Sequence, residues 1–448
     1  MRARPVSTPK NYLLGLLTII FAFNFTDRVA LGIVAQNIKG DLDLSDSQVG
    51  FLSGIAFALF YALMGMPIAR WADRGNRVAI VSISTALWSV AVALCGMAST
   101  FVQLILIRIV VGVGEAGCVP PAHSLIADFF ARAERPRAIA MYMQGASASL
   151  VIGYFAAGWL NQLYGWRAMF VLIGLPGVLM AALAWFTLRE PRVGNPDRLA
   201  ATAPAHMMDV CVALWRLRTF RHVLFAFSLI CFFGYGTLQW APAYFVRGFG
   251  LKTGELGTWF AAIFGLSGLI GTYWGGEWAA RSARNNEQRQ LNGMALMTCL
   301  SGVFWACAFL PAISPNRYWA FGWLALSNCV SMAINGPTFA ALQTMVPAPM
   351  RAVAVALVFL FINLIGLGCG PWAVGALSDA LRPWVGEESL RYAMLMFSPT
   401  ALWGAWHLWR AGQTVFVDLG SGQKERVARG AASEERGSCE FAGGDNAN

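Results

Sequence analysis

Long apolar runs separated by short polar connections recur at residues 12–34, 47–69, 78–98, 101–123, 138–160, 167–188, 220–246, 254–279, 291–311, 318–345, 352–378 and 391–410. Each reaches the roughly 20 residues that a helix needs to cross the hydrocarbon of a bilayer. The pattern predicts an all-α membrane protein with twelve transmembrane helices. Eleven further runs follow the first, which lacks a small-residue cleavage site, so it is expected to be a retained helix and not a cleaved signal peptide.

Composition supports this reading. Of 448 residues, 57% are hydrophobic and 12% charged, against about 45–50% and 25% in a soluble domain. Such a chain has too few charges to cover its surface in water. The net charge of +10 would suit nucleic acid only if the basic residues gathered on one soluble face. Instead they alternate between connections. With the N-terminus inside, 24 of the 33 Lys and Arg fall on the inner side, seven on the outer, and two, Arg28 and Arg108, within helices. The positive-inside rule predicts that both termini are cytoplasmic; a plasma (inner) membrane is expected, and no nucleic-acid partner. The nine cysteines have no CxxC pair or histidine at ligand spacing, so no disulfide, metal or cofactor is expected.

The runs divide into a cytoplasmic N-terminus (1–11), a six-helix bundle (12–188), a cytoplasmic linker (189–219), a second six-helix bundle (220–410) and a disordered tail (411–448) that has little to bury. An internal repeat supports the division. Trp71-Ala72-Asp73-Arg74-Gly75-Asn76-Arg77 matches Trp278-Ala279-Ala280-Arg281-Ser282-Ala283-Arg284 at four of seven positions, 207 residues later. Arg137-Ala138-Ile139-Ala140 is echoed by Arg351-Ala352-Val353-Ala354. Two pseudo-symmetric six-helix repeats suit a transporter that rocks between two open states.

From residues 12 to 410 the sequence resembles the major facilitator superfamily. The loop Ala69 to Arg77 is similar to its Gly-x-x-x-Asp-Arg-x-Gly-Arg signature, with Ala69 and Asn76 replacing glycines. Asn76, Asp27-Arg28 and Gly112-Val113-Gly114-Glu115-Ala116 resemble the Spinster-like branch, which contains lysolipid and sphingoid-phosphate transporters. The resemblance implies the major facilitator fold and a proton-linked or gradient-driven carrier. It also implies that Asp73, Arg74, Arg77 and Asp128 form a cytoplasmic gate that latches the two halves. Arg74 and Arg77 alone would equally satisfy the positive-inside rule.

Four ionisable residues within predicted spans carry the sharpest signal, because each costs at least about 2.5–3.5 kcal/mol at the bilayer centre. At ~1.5 Å rise per residue, Asp27 and Arg108 lie at similar depth, about 10 Å below the outer face, so an ion pair between them is feasible. Glu115 lies two turns beyond Arg108 on the same face, near the midplane, with no evident partner at that depth. Asn24, one turn from both Asp27 and Arg28, extends the polar stripe. The four charges cancel when all are ionised, and protonating either carboxylate leaves +1. These residues are therefore candidates for proton coupling, with Arg28 or Arg108 meeting an anionic head. The structural alternative is a set of packing salt bridges. Pro120-Pro121 is expected to kink the fourth helix below Glu115.

The second half offers Tyr235 with Gln239, Trp240, Asn328 with Asn335, and Asn363 as a less charged, aromatic side of a substrate cavity. Each would otherwise bond a neighbouring helix. The sequence contains no GxxxxGK[ST] loop, and no nucleophile-base pair stands at useful spacing, so neither an ATP-driven pump nor an enzyme is expected. The expectation is a monomeric, proton-coupled, alternating-access transporter of an amphipathic anion, lysolipid- or sphingoid-like. The alternatives are a proton symporter of a small organic anion such as a sugar acid, and a non-transporting sensor or passive pore on the same fold.

Overall fold

The computed structural model describes residues 8–131, 134–191, 207–282, 286–346 and 350–442. Residues 1–7 of the expected N-terminal segment and 192–206 of the expected linker lie outside that set. Among the described residues all regular structure is helical. In chain order the helices are α1 (Lys10–Leu42), α2 (Asp46–Ser53), α3 (Ile55–Arg74), α4 (Arg77–Cys95), α5 (Phe101–Ala116), α6 (Val119–Phe129), α7 (Arg135–Thr187) and α8 (Met207–Arg216). They continue as α9 (Arg218–Phe249), α10 (Thr253–Ser282), α11 (Glu287–Phe309), α12 (Arg317–Ala333), α13 (Asn335–Met345), α14 (Arg351–Phe361), α15 (Gly370–Val385) and α16 (Ser389–Ala442).

Nine continuous helical stretches among the described residues are long and apolar enough to cross a membrane. Two of them each cover two expected spans. In α7 the chain reverses at Gly165, whose φ of 80° only glycine adopts without strain, so two crossings join with no loop between them. Residues 353–418 likewise hold the last two spans. A further span is divided at Ile334 into α12 and α13. The architecture is consistent with twelve crossings. Helices suit a bilayer because every backbone group is satisfied within its own segment.

Local sequence sets the ends. Asp43 closes α1 in the left-handed conformation, φ 49°. Ser45 then caps α2 by accepting the Gln48 N–H, while the Gln48 side chain accepts the Ser45 N–H. Asn76, Thr100 and Asn316 cap α4, α5 and α12 in the same manner. The expected kink near Pro120-Pro121 is a full break: α5 ends at Ala116 and α6 starts at Val119 with the proline pair in its first turn. At the opposite end of the chain, α16 runs to Ala442, past residue 411, where a disordered tail was expected. The Ala, Glu, Arg and Lys in residues 423–436 favour helix by intrinsic propensity. Side chains from 419 onward lie outside the described set.

Within the bilayer, helices gain little from burying apolar groups against one another, since lipid is equally apolar; close packing and polar contacts decide which faces meet. Residues 10–188 and 207–418 meet at the end of the bundle away from the termini, here called the distal end. One close approach is between α7 and α10, where a methyl group on Gly158 would lie 2.9 Å from Gly257 Cα. Two irregular segments also touch there. Gly54, with φ −105° and ψ −91°, separates α2 from α3. It packs on the backbone of Gly368 in a π-helical segment, Ile362–Cys369, that leads into α15.

Candidate functional site

Consecutive residues on a helix point about 100° apart, so Asp27 and Arg28 of α1 can address different targets. Both targets lie on one face of α5. Arg108 Nη1 donates to Asp27 Oδ2 at 2.6 Å, with both side chains buried. Arg28 donates to Glu115 Oε2 from Nη2 at 2.5 Å and from Nε at 3.0 Å. Glu115, expected to lack a partner, therefore has one: the sequence estimate weighed depth along α5 and missed how far an Arg side chain reaches from α1. The two ion pairs stand side by side, and Asp27 and Glu115 lie within side-chain interaction range of each other.

Aromatic rings surround both guanidinium groups. Phe57 of α3 lies 4.6 Å from Arg28 Cζ and 5.2 Å from Arg108 Cζ, measured to the ring centre. Phe25 and Tyr61 lie 4.4 Å and 5.1 Å from Arg28. Each such contact stabilises a partly desolvated cation by roughly 0.5–2 kcal/mol. Gly112 makes the approach possible, since a methyl group there would stand 2.7 Å from the Phe57 carbonyl oxygen. Sequence reasoning missed Phe25, Phe57 and Tyr61; the four-residue spacing of Phe57 and Tyr61, one helical turn, was the available signal.

The cluster keeps unused hydrogen-bonding capacity. Among the described residues, Asp27 Oδ1, Glu115 Oε1, Arg108 Nε and both amide atoms of Asn24 are buried with no partner. Buried polar atoms are usually satisfied, so this concentration sets the cluster apart from ordinary helix packing. Arg28 is the member that reaches toward the second half, its side chain 12% exposed. Tyr235 of α9 is close enough to act on it electrostatically.

The other expected cavity residues separate. Gln239 packs on Gly32 of α1. Trp240 is buried, and its indole N–H donates to the Pro371 carbonyl at 2.8 Å, so it fastens α9 to α15 and does not line a cavity. Asn328 donates to Ser267 Oγ of α10 at 2.8 Å, and Asn363 to the Phe359 carbonyl of the preceding turn at 2.8 Å. Asn335 is exposed and meets Met332 Sδ at 3.2 Å.

At the proximal end, Arg77 is fully buried and bonds within the first half. Its guanidinium reaches Asp128 at 2.7 Å, Ser124 Oγ at 2.9 Å and Glu190, whose Oε2 also accepts the Arg77 backbone N–H at 2.7 Å. Arg77 and Asp128, both expected in the cytoplasmic gate, are thus paired with each other, within the first half. Arg74 is exposed, and the Asp73 side chain lies outside the described residues. Glu190 was not singled out from the sequence. Nearby, Lys10 Nζ donates to Glu134 at 2.7 Å, and this bond with the Ala131 N–H holds the Glu134 carboxyl below the usual carboxylate range.

The distal end carries a polar network that the sequence did not reveal. Asp46 accepts from Lys39 at 2.5 Å, from Arg247 of α9 at 2.6 Å and from Ser378 of α15 at 2.7 Å. Asp379 in turn accepts the backbone N–H groups of Asp46 and Ser47, at 3.0 Å and 2.7 Å. Asn161 Nδ2 donates to Thr253 Oγ1 at 3.0 Å, adding a bond between α7 and α10. These bonds join the two halves on the side opposite the chain ends.

Comparison with known proteins agrees with this arrangement. Residues 17–371 match the family model described as Major Facilitator Superfamily. An "MFS-type efflux pump" of Mycolicibacterium smegmatis is 32% identical over 409 residues, covering 90% of this chain and 93% of that protein. A "Hexuronate transporter" of Bacillus subtilis is 26% identical over 297 residues, 64% of this chain and 70% of the relative. A crystal structure of a bacterial homolog of the human lysosomal transporter Spinster, inward-facing and unoccupied, superposes with a TM-score of 0.80 at 28% identity, covering 93% of this chain and 99% of the other. The chain, helical throughout the regular structure of its described residues, belongs to the Major Facilitator Superfamily, as an integral membrane transporter similar in structure to Spinster homologues and not an enzyme.

Proposed function

We propose that the chain is a proton-coupled carrier working by alternating access on an amphipathic organic anion, lysolipid- or sphingoid-like, in the inner membrane with both termini cytoplasmic. The observation that carries this reading is the pairing of two carboxylates with two guanidinium groups in one buried cluster. When Glu115 or Asp27 takes a proton, the neutral cluster becomes +1 and an arginine loses its internal counter-ion. Arg28, boxed by Phe25, Phe57 and Tyr61, is then ready for a carboxylate or phosphate from between the halves. Tyr235 offers an apolar and hydroxyl-bearing wall opposite, which suits a molecule with one charged and one greasy end.

With the termini cytoplasmic, closure at the distal end supports a state shut to the outside, as in the inward-facing Spinster homologue. A small hydrophilic anion such as a sugar acid is the second reading, favoured by the likeness to a hexuronate transporter. Both readings share the cluster. The test is proton flux with labelled substrate in proteoliposomes, using a lysolipid and a sugar acid in parallel. Loss of coupled flux is expected in Asp27→Asn or Glu115→Gln; unchanged coupling in both variants would end the proposal.

A further inference from the structure

At the proximal end of the second half, α8, the start of α9 and the end of the last crossing in α16 form a rim in which aromatic and basic residues alternate. Trp215, Phe225, Trp403, Trp406 and Trp409 are all exposed there. Amphipathic α8 buries Val210 and Leu214 against the bundle and turns Val212 and Trp215 outward. Exposed tryptophans at the end of a crossing mark the headgroup level of a bilayer.

Arg216, Arg218, Arg221 and Arg410 occupy the same level, and none forms an ion pair among the described residues. Arg410 lies over the Trp406 ring at 5.8 Å, and both Arg221 and Arg410 are within electrostatic reach of His222. The nearby acid Asp418 is already engaged, accepting the Thr219 N–H at 2.7 Å.

The rim is held on a fixed frame. His222 Nδ1 and His407 Nδ1 are 2.9 Å apart, one ring donating and the other accepting, which ties α9 to α16. Thr219 and Thr414 hydroxyls bond at 2.8 Å one turn away. Unpaired arginines on a rigid frame, flanked by rings at headgroup depth, are the chemistry that holds a phosphate at a membrane surface.

We propose that this rim is a binding site for an anionic phospholipid of the adjoining leaflet, its phosphate on Arg221 and Arg410 and its chains along Trp403, Trp406 and Phe225. The site is separate from the transport cluster on α1 and α5.

The test is thermal unfolding of the full chain in nanodiscs of phosphatidylcholine alone and of phosphatidylcholine doped with phosphatidylglycerol. A ligand that binds the folded state raises Tm, here by about 3 °C or more. The rise should vanish in Arg221→Gln/Arg410→Gln and persist in Arg281→Gln/Arg289→Gln, which removes the same charge elsewhere at the proximal end. If the first double variant does not fold, Arg410→Gln alone carries the test and should lose at least half the rise. Absence of a rise in the native chain, or equal loss in both double variants, overturns the site in favour of diffuse charge. An equal rise from inorganic phosphate in phosphatidylcholine discs overturns the lipid as its ligand.

Discussion

Asp379 caps a helix that belongs to the other half of the molecule: its carboxylate accepts the first N–H groups of α2, from Asp46 and Ser47, across the distal interface. An acid at a helix N-terminus satisfies donors that have no intrahelical partner and complements the helix dipole. In the proposed alternating-access cycle the capped donors and the acid part company when the distal end opens, so the bond stabilises one state only.

Asp379→Ala should therefore shift the population toward distal-open by about 1–2 kcal/mol, the usual worth of a cap. Maleimide labelling of a cysteine at Ser53, in a background free of other reactive cysteines, reads this out. Labelling from the distal side should rise several-fold, and an unchanged rate would show that the cap does not hold the closure.

Removing one partner of a buried ion pair leaves the other uncompensated, at about 3–5 kcal/mol. Asp27→Leu should lower the melting temperature in detergent more than Asp27→Leu/Arg108→Met, although the latter changes twice as many residues. If the double variant is the less stable one, the pair is not the unit proposed.

Phe57 touches both guanidinium groups, so its substitutions separate packing from charge. Phe57→Leu keeps most of the volume and loses the ring, which should weaken anion uptake several-fold with a small change in stability. Phe57→Ala adds a cavity and should cost about 3–5 kcal/mol in folding. Equal uptake by the native chain and Phe57→Leu would remove the ring from the site.

The two proximal ion pairs should behave oppositely. Arg77→Gln strips Asp128, Ser124 and Glu190 of a buried donor and should destabilise the chain strongly in thermal unfolding. Lys10 and Glu134 are half exposed, so Glu134→Gln should lower the melting temperature only slightly at neutral pH. The sign of the pH effect follows from the lowered Glu134 carboxyl. Its contribution is complete above the usual carboxylate range and fades as pH falls through the lowered value. A large destabilisation by Glu134→Gln at neutral pH would contradict this.

Much of the fold is legible because bilayer thickness fixes span length, and the positions of the crossings follow from apolar runs alone. The Asp27 to Arg108 pair is legible for the same reason, since depth along two helices is simple arithmetic. Glu115 with Arg28 is not, because side-chain reach and the rotation of α1 against α5 depend on packing. Trp240 shows the same gap from the other side: an aromatic with an N–H reads equally as a cavity wall or as a tie to a neighbouring backbone. Asp46 and Asp379 sit 333 residues apart, at the start of α2 and within α15, and no local pattern links them.

Gly54 and Gly368 meet at the points where two otherwise regular rods lose their helical repeat. The tips beyond them, Asp46–Ser53 and Gly370–Val385, are bolted together by Asp379 and Ser378. Such a construction hinges each tip on its own stem, so once the Asp379 and Ser378 bonds part, the two tips can bend away from each other at these glycines while the stems stay packed.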